Sequence, residues 1–237
     1  MDTTKLELEL DCLGKAGLAL QQNNVKLVRR IRATWHGTEP TGPVVCRLTS
    51  DPETFPPVET FCDNLAPETP IEFTKCAPRL SFTALSSLTE RVNGTVMAEL
   101  FSVPTETEGE RTPLASVTRP VEFCPYDEWF GTECVPELLA AFVMPNDPAL
   151  VPLLHRIAEL RGERGGTPSL NGYQGKSRDD ALLTVKCAYD AVLELGITYS
   201  EPPASFGTTG QRIRTAEEIL SKKFATCLDL SDRKSTV

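Results

Sequence analysis

Cys227 stands in the stretch KKFATCLDLSDRKSTV, ten residues before the last. Thr226 is of a type that caps helices and CLDL reads as a first turn. There, unpaired backbone N–H groups and the helix macrodipole favour thiolate over thiol. A thiolate put to nucleophilic use needs a proton acceptor, and the sequence has 2 histidines. His36 lies beside a turn in an extended region, and His155 lies in LLHRIAEL, an ordinary helical pattern. Neither is expected to act as the base. Gln211, in the polar stretch before the last capped helix, is of the type that donates to an oxyanion.

Other motifs carry less chemistry. The 8 cysteines include no CxxC pair, and no HxxxH completes a zinc site. Most are expected to be small buried hydrophobes, with no metal and no cofactor. GYQGKS has the end of a phosphate loop, but the glycine required five positions before Gly175 is replaced by Leu170, and a helix rather than a strand precedes it. The sequon Asn93-Gly94-Thr95 has no use without export.

The 237 residues are 40% hydrophobic and 24% charged, the composition of a soluble globular chain with room for two cores. No apolar run reaches the ~18 residues of a membrane span. The start, MDTTKLELEL, has neither a basic n-region nor an apolar h-region, so a cytoplasmic location is expected. A net charge of -9 argues against direct nucleic-acid or anionic-membrane binding by the chain as a whole.

The elements that must position these residues fall into two kinds. In KLELEL, Leu6, Leu8 and Leu10 alternate with charged residues, the period of a half-buried strand. In VKLVRRIRATW, Val25, Leu27, Ile31, Ala33 and Trp35 share one face, leaving Lys26, Arg30 and Arg32 as a solvated basic face. Further short apolar runs with Pro, Gly and Asn punctuation predict a sandwich, Asn93-Gly94 predicts a tight hairpin turn, and FTALSSLTE a short crossing helix. Residues 1–125 are read as an immunoglobulin-like β-sandwich.

Beyond it the period becomes helical. PELLAAFV and PALVPLLHRIAELRG begin near prolines, and Gly162 is placed to end the second. Residues 126–176 are connecting helices and a loop. Ser177 should cap a helix ended by Gly196, ITYSEPPASFGTTGQ should be a loop, and Thr215 with Glu218 should box the start of the next helix.

The stretch NGYQGKSRDDALLTVKCAYDAVLELGITYSEPPASFGTTGQRIRTAEEILSKKFATCLDL resembles the start of the transglutaminase-like cysteine domain of very large bacterial helicase proteins. Upstream, ALQQNNVKLVRRIRATWHG, RLTSDPETFPPVE and YDEWFGTECVPELLAAFVMPNDPAL resemble the β-domain and connecting segment of the same proteins. The resemblance extends over nearly the whole chain, and PPASF, GQRIRT and TCLDL are its most specific pieces. It implies an α+β fold whose residues 177–237 are a truncated transglutaminase- or papain-like helical segment, with Cys227 as the nucleophile candidate. It also implies a place in a superfamily-one helicase-type polypeptide of bacterial DNA processing or anti-phage defence.

The departure from that pattern lies after the cysteine. In the family the helix continues as a long apolar segment, and the histidine follows on a later strand. Here SDRKSTV is polar and the sequence stops, so Cys227 is expected to be latent. The expected role is a non-catalytic or regulatory interaction module, the front part of a longer polypeptide or the binder of a protein partner. The alternative is a thiol hydrolase or transglutaminase-like enzyme completed by a histidine supplied outside this chain.

Overall fold

The computed structural model describes residues 5–104, 110–170, 174, 176–202 and 204–234. The chain is mixed α+β and divides into two compact units, Met1–Phe130 and Gly131–Val237.

In the first unit β1 (Leu6–Cys12) and β3 (Val28–Trp35) pair antiparallel, Leu6 opposite Trp35 and Leu10 opposite Ile31. The alternation read in the sequence holds from Ile31 to Trp35. Nearer the start it breaks, because Asp11 faces Arg30 while Cys12 faces Val28, leaving Arg29 as the extra residue of a bulge. Leu27 and Val28 are therefore both buried, and Arg29 and Arg30 both face water. Between these strands lie β2 (Lys15–Ala16) and α1 (Leu18–Gln22).

The larger sheet is built from β4 (Val44–Asp51), β5 (Val58–Cys62), β7 (Val92–Ser102) and β8 (Thr112–Phe123), in the order β2-β8-β7-β4-β5. The short β6 (Ile71–Glu72) instead joins the other sheet beside β3. Inward residues such as Cys46, Leu48, Val96, Leu100 and Phe123 fill the core. The crossing helix expected in FTALSSLTE is α2 (Phe82–Ser86), whose N-cap Ser81 accepts from the Ala84 N–H and whose Leu85 is fully buried. A two-residue β9 (Glu128–Trp129) closes the unit.

Asn93-Gly94 is not a turn. Both residues lie inside β7, opposite Glu122 and Val121 of β8. A Cβ on Gly94 would be driven into the Asp51 carbonyl oxygen and lie 2.7 Å from the Phe123 ring. The glycine is there for close approach of neighbouring backbone, not for positive φ.

The second unit opens with two 3₁₀ stretches, Pro136–Phe142 and Pro148–Leu150, where the sequence pattern predicts α-helix for the first. The latter runs into α3 (Val151–Glu163), which continues through Gly162 and ends at Arg164. Ser177 caps α4 (Arg178–Glu194) by accepting from the Asp180 N–H, and Gly196 at φ 63° follows its end, as expected. Ile157 and Leu160 of α3 pack on Cys187 and Ala191 of α4. Arg161, 1% exposed, ties the pair: it donates to the Thr167 carbonyl (3.1 Å), to Asp180 Oδ1 (2.7 Å) and to the Thr184 hydroxyl.

The stretch 197–211 holds more regular structure than its composition suggests. It forms β10 (Thr198–Tyr199), α5 (Phe206–Thr209) and the start of β11 (Gln211–Arg212). Then follow α6 (Ala216–Lys222), β12 (Phe224–Ala225) and α7 (Cys227–Lys234). Of the GYQGKS stretch, Gly172, Tyr173 and Gly175 lie outside the described residues, as do Pro203 of PPASF and the last three residues. Among the described residues, no helix is long and apolar enough to cross a membrane.

Candidate functional site

The geometry around Cys227 is set from α6 onward. Thr215 and Glu218 form the capping box read in the sequence: Glu218 N–H donates to Thr215 Oγ1 (3.2 Å) and Thr215 N–H to Glu218 Oε2 (3.1 Å). The helix stops at Lys223 in a left-handed conformation, φ 54°. That turn directs Phe224 and Ala225 into parallel pairing with Thr198 and Tyr199. The chain is thereby delivered to α7 beside Tyr199.

The start of α7 is locked by a second reciprocal cap. Asp229 N–H donates to Thr226 Oγ1 (3.2 Å), and Thr226 N–H donates to Asp229 Oδ2 (2.8 Å). The Asp229 carboxylate is fully buried, and it also accepts from the Arg214 backbone N–H (2.9 Å) and guanidinium (2.9 Å). Arg214 in turn lies over the Phe224 ring, 5.4 Å from its centroid. Cys227, first residue of α7, is exposed.

Two further side chains bear on the thiol. The Tyr199 hydroxyl is held above the ordinary phenol range, first by loss of water around it and then by the Cys227 thiol against it. Gln211, buried on β11, directs its amide donor at Thr226 Oγ1 (3.5 Å), the residue next to Cys227. Its Oε1 has no hydrogen-bond partner among the described residues. Gln211 thus lies against the residue that precedes Cys227.

The histidines are engaged elsewhere. In the first unit, His36 Nδ1 lies 2.9 Å from Glu68 Oε2 and Nε2 lies 3.5 Å from Glu7, which hold the ring above its usual pKa. His155 projects from α3, 76% exposed, toward Glu159. Among the described residues, no group of three His, Cys, Asp or Glu side chains is placed to hold a metal ion.

Sequence reading missed Asp229, Arg214 and Tyr199. Thr226-Cys-Leu-Asp229 has the spacing of a cap, with Asp in place of the usual third-position Glu, so Asp229 was open to detection. Tyr199 was not, because only the β10–β12 pairing brings it to the thiol.

Comparison of the chain with protein-family models, curated proteins and solved structures finds nothing that matches. Fold and site define a mixed α+β chain with an exposed thiol at a doubly capped helix start.

Proposed function

We propose that the chain is a non-catalytic interaction module of a bacterial, cytoplasmic helicase-type protein acting in DNA processing or anti-phage defence. In this reading the first unit is an immunoglobulin-like β-sandwich that braces or spaces, and the second is the start of a transglutaminase- or papain-like domain. The helicase setting rests on the sequence resemblance.

The observation that carries the interaction role is the outer face of α4. Leu182, Val185, Tyr189 and Leu193 follow helical spacing over about three turns, and each is more than half exposed. Thr184, Cys187 and Ala191 are buried on the same helix, so α4 is apolar on its outer as well as its inner side. A helix of that kind is at home between two packed layers.

A photo-crosslinking residue placed at Val185, with one at the polar Glu163 as control, tests the reading in cells. The expected result is one discrete adduct from position 185, identified by mass spectrometry as a helicase-type polypeptide. Equal, diffuse labelling from both positions would overturn it.

The thiol supports a second reading, an enzyme whose nucleophile is Cys227 and whose base comes from another polypeptide. Its observation is the exposed Cys227 beside Tyr199, with the buried amide of Gln211 at Thr226. Iodoacetamide labelling at pH 6 separates the two: a rate far above that of a small free thiol supports the enzyme, and an equal rate supports the latent thiol. Loss of the biological phenotype in Cys227→Ala would point the same way as fast labelling.

A further inference from the structure

A cleft of about 90 Å³ opens in the first unit between the first half of β3 and the segment Phe73–Ala77. Its origin is a gap in a sheet. β6 pairs only with Arg32 and Ala33, and the Phe73 N–H reaches the Ile31 carbonyl (3.0 Å). The chain then turns away, Thr74 N–H to Glu72 O (3.1 Å) and Cys76 N–H to Phe73 O (3.1 Å), so that among the described residues no strand covers this edge of Val28–Arg30.

The bulge in β3 decides what lines the gap. An extra residue at Arg29 turns Arg29 and Arg30 outward together, where strict alternation would have buried one of them. Both line the cleft with Lys26, over a floor of buried Val28, Ile31 and Phe73, and Thr74 adds a hydroxyl.

These three cations differ from most of the chain's arginines in holding no carboxylate in an ion pair among the described residues. The chain carries 33 acidic against 24 basic residues, and Arg32, Arg91, Arg111, Arg156, Arg161 and Arg214 all hold carboxylates. Among the described residues, Lys26, Arg29 and Arg30 form no ion pair. Asp11 faces Arg30 across the sheet without pairing to it, and Glu9 is held by Arg32, with Arg30 adding a weaker attraction at longer range. Glu72 is the one carboxylate in the lining, leaving an excess of two positive charges. Positive charge gathered in a concave, apolar-floored site focuses the field on an anion, whereas the same side chains on a convex face would be diluted by water.

We propose that this cleft binds the terminal phosphoryl group of a small phosphorylated molecule. The volume holds a group the size of a few waters, which suits a phosphate monoester. Two guanidinium groups and an ammonium match the dianion's charge and its several acceptor oxygens. The apolar floor meets the organic part.

The test is a titration of the ¹⁵N-labelled full chain with phenyl phosphate, followed through the amides of Arg29, Arg30 and Thr74. Saturable shifts with Kd near or below about 1 mM are expected. Arg29→Gln with Arg30→Gln should weaken binding at least ~10-fold at unchanged Tm, and Glu72→Gln should strengthen it. Both arginines are exposed, so the variants retain the core. Non-saturating shifts, or equal binding of chloride and phenyl phosphate, would reduce the cleft to a solvated basic face and overturn the proposal. Tighter binding of a short oligodeoxynucleotide that lacks terminal phosphates than of phenyl phosphate would overturn it in favour of a nucleic-acid surface.

Discussion

Thr226 and Asp229 exchange hydrogen bonds in both directions, backbone N–H of each to side-chain oxygen of the other, at 2.8 and 3.2 Å. The pair fixes where α7 begins and therefore where the Cys227 thiol stands. Asp229→Ala strips acceptors from the Thr226 and Arg214 N–H groups and leaves the Arg214 guanidinium without its carboxylate. A loss of about 3 kcal/mol in urea unfolding is expected. Asp229→Asn keeps part of the acceptor set and should cost less.

Thiol reactivity should divide sharply by position. Cys227 is exposed, whereas Cys46, Cys124 and Cys187 are fully buried. Burial pushes the Cys124 thiol up to about 12, and the hydrogen bond to Cys76 followed by burial raises that of Cys46. In native buffer, alkylation followed by peptide mass spectrometry should mark Cys227 first and leave these three until denaturant is added.

His36 provides a pH-dependent contact. Its hydrogen bond to Glu68 is the largest cause of a pKa above the ordinary histidine value, with Glu7 adding to it. A raised folded-state pKa stabilises below the unfolded value and the gain is lost as pH rises through the folded one. An NMR titration of the His36 ring should show a midpoint above that of a model histidine, and Glu68→Gln should lower it.

Gly94→Ala should destabilise the first unit by about 2 kcal/mol, since the added methyl meets the Asp51 carbonyl and the Phe123 ring. Gly14→Ala, where a Cβ meets nothing within 4 Å, is the control. Thermal unfolding of the pair measures the difference.

Arg161→Met should cost about 3 kcal/mol, because it removes the buried donor that joins α3, the Thr167 carbonyl and α4. Helical circular dichroism of the second unit followed through urea denaturation reads this directly.

What the sequence disclosed was local. The caps at Ser177 and Thr215 act over three residues and are visible as residue types at fixed spacing. The leucine alternation of β1 is likewise contained in seven residues. Asn93-Gly94 misled because turn propensity is a local signal and the deciding contact, with Asp51 and Phe123, is distant in sequence. The same holds for Arg29, whose outward turn depends on how β1 pairs with β3. Around the site, Thr226 was legible and Tyr199 was not, since the side chains meet only after two-residue strands pair.

The parallel pairing of Lys15 with Glu122 and Ala16 with Phe123 sets a timetable for biosynthesis. β1 and β3 can meet soon after they emerge, but the larger sheet cannot acquire β2 until β8 has been made. At about 5–20 residues per second, the ribosome leaves an interval of seconds in which the early apolar segments lack their partner strands. During that interval Leu18 and Leu20, both buried in the finished unit, are open to chaperones.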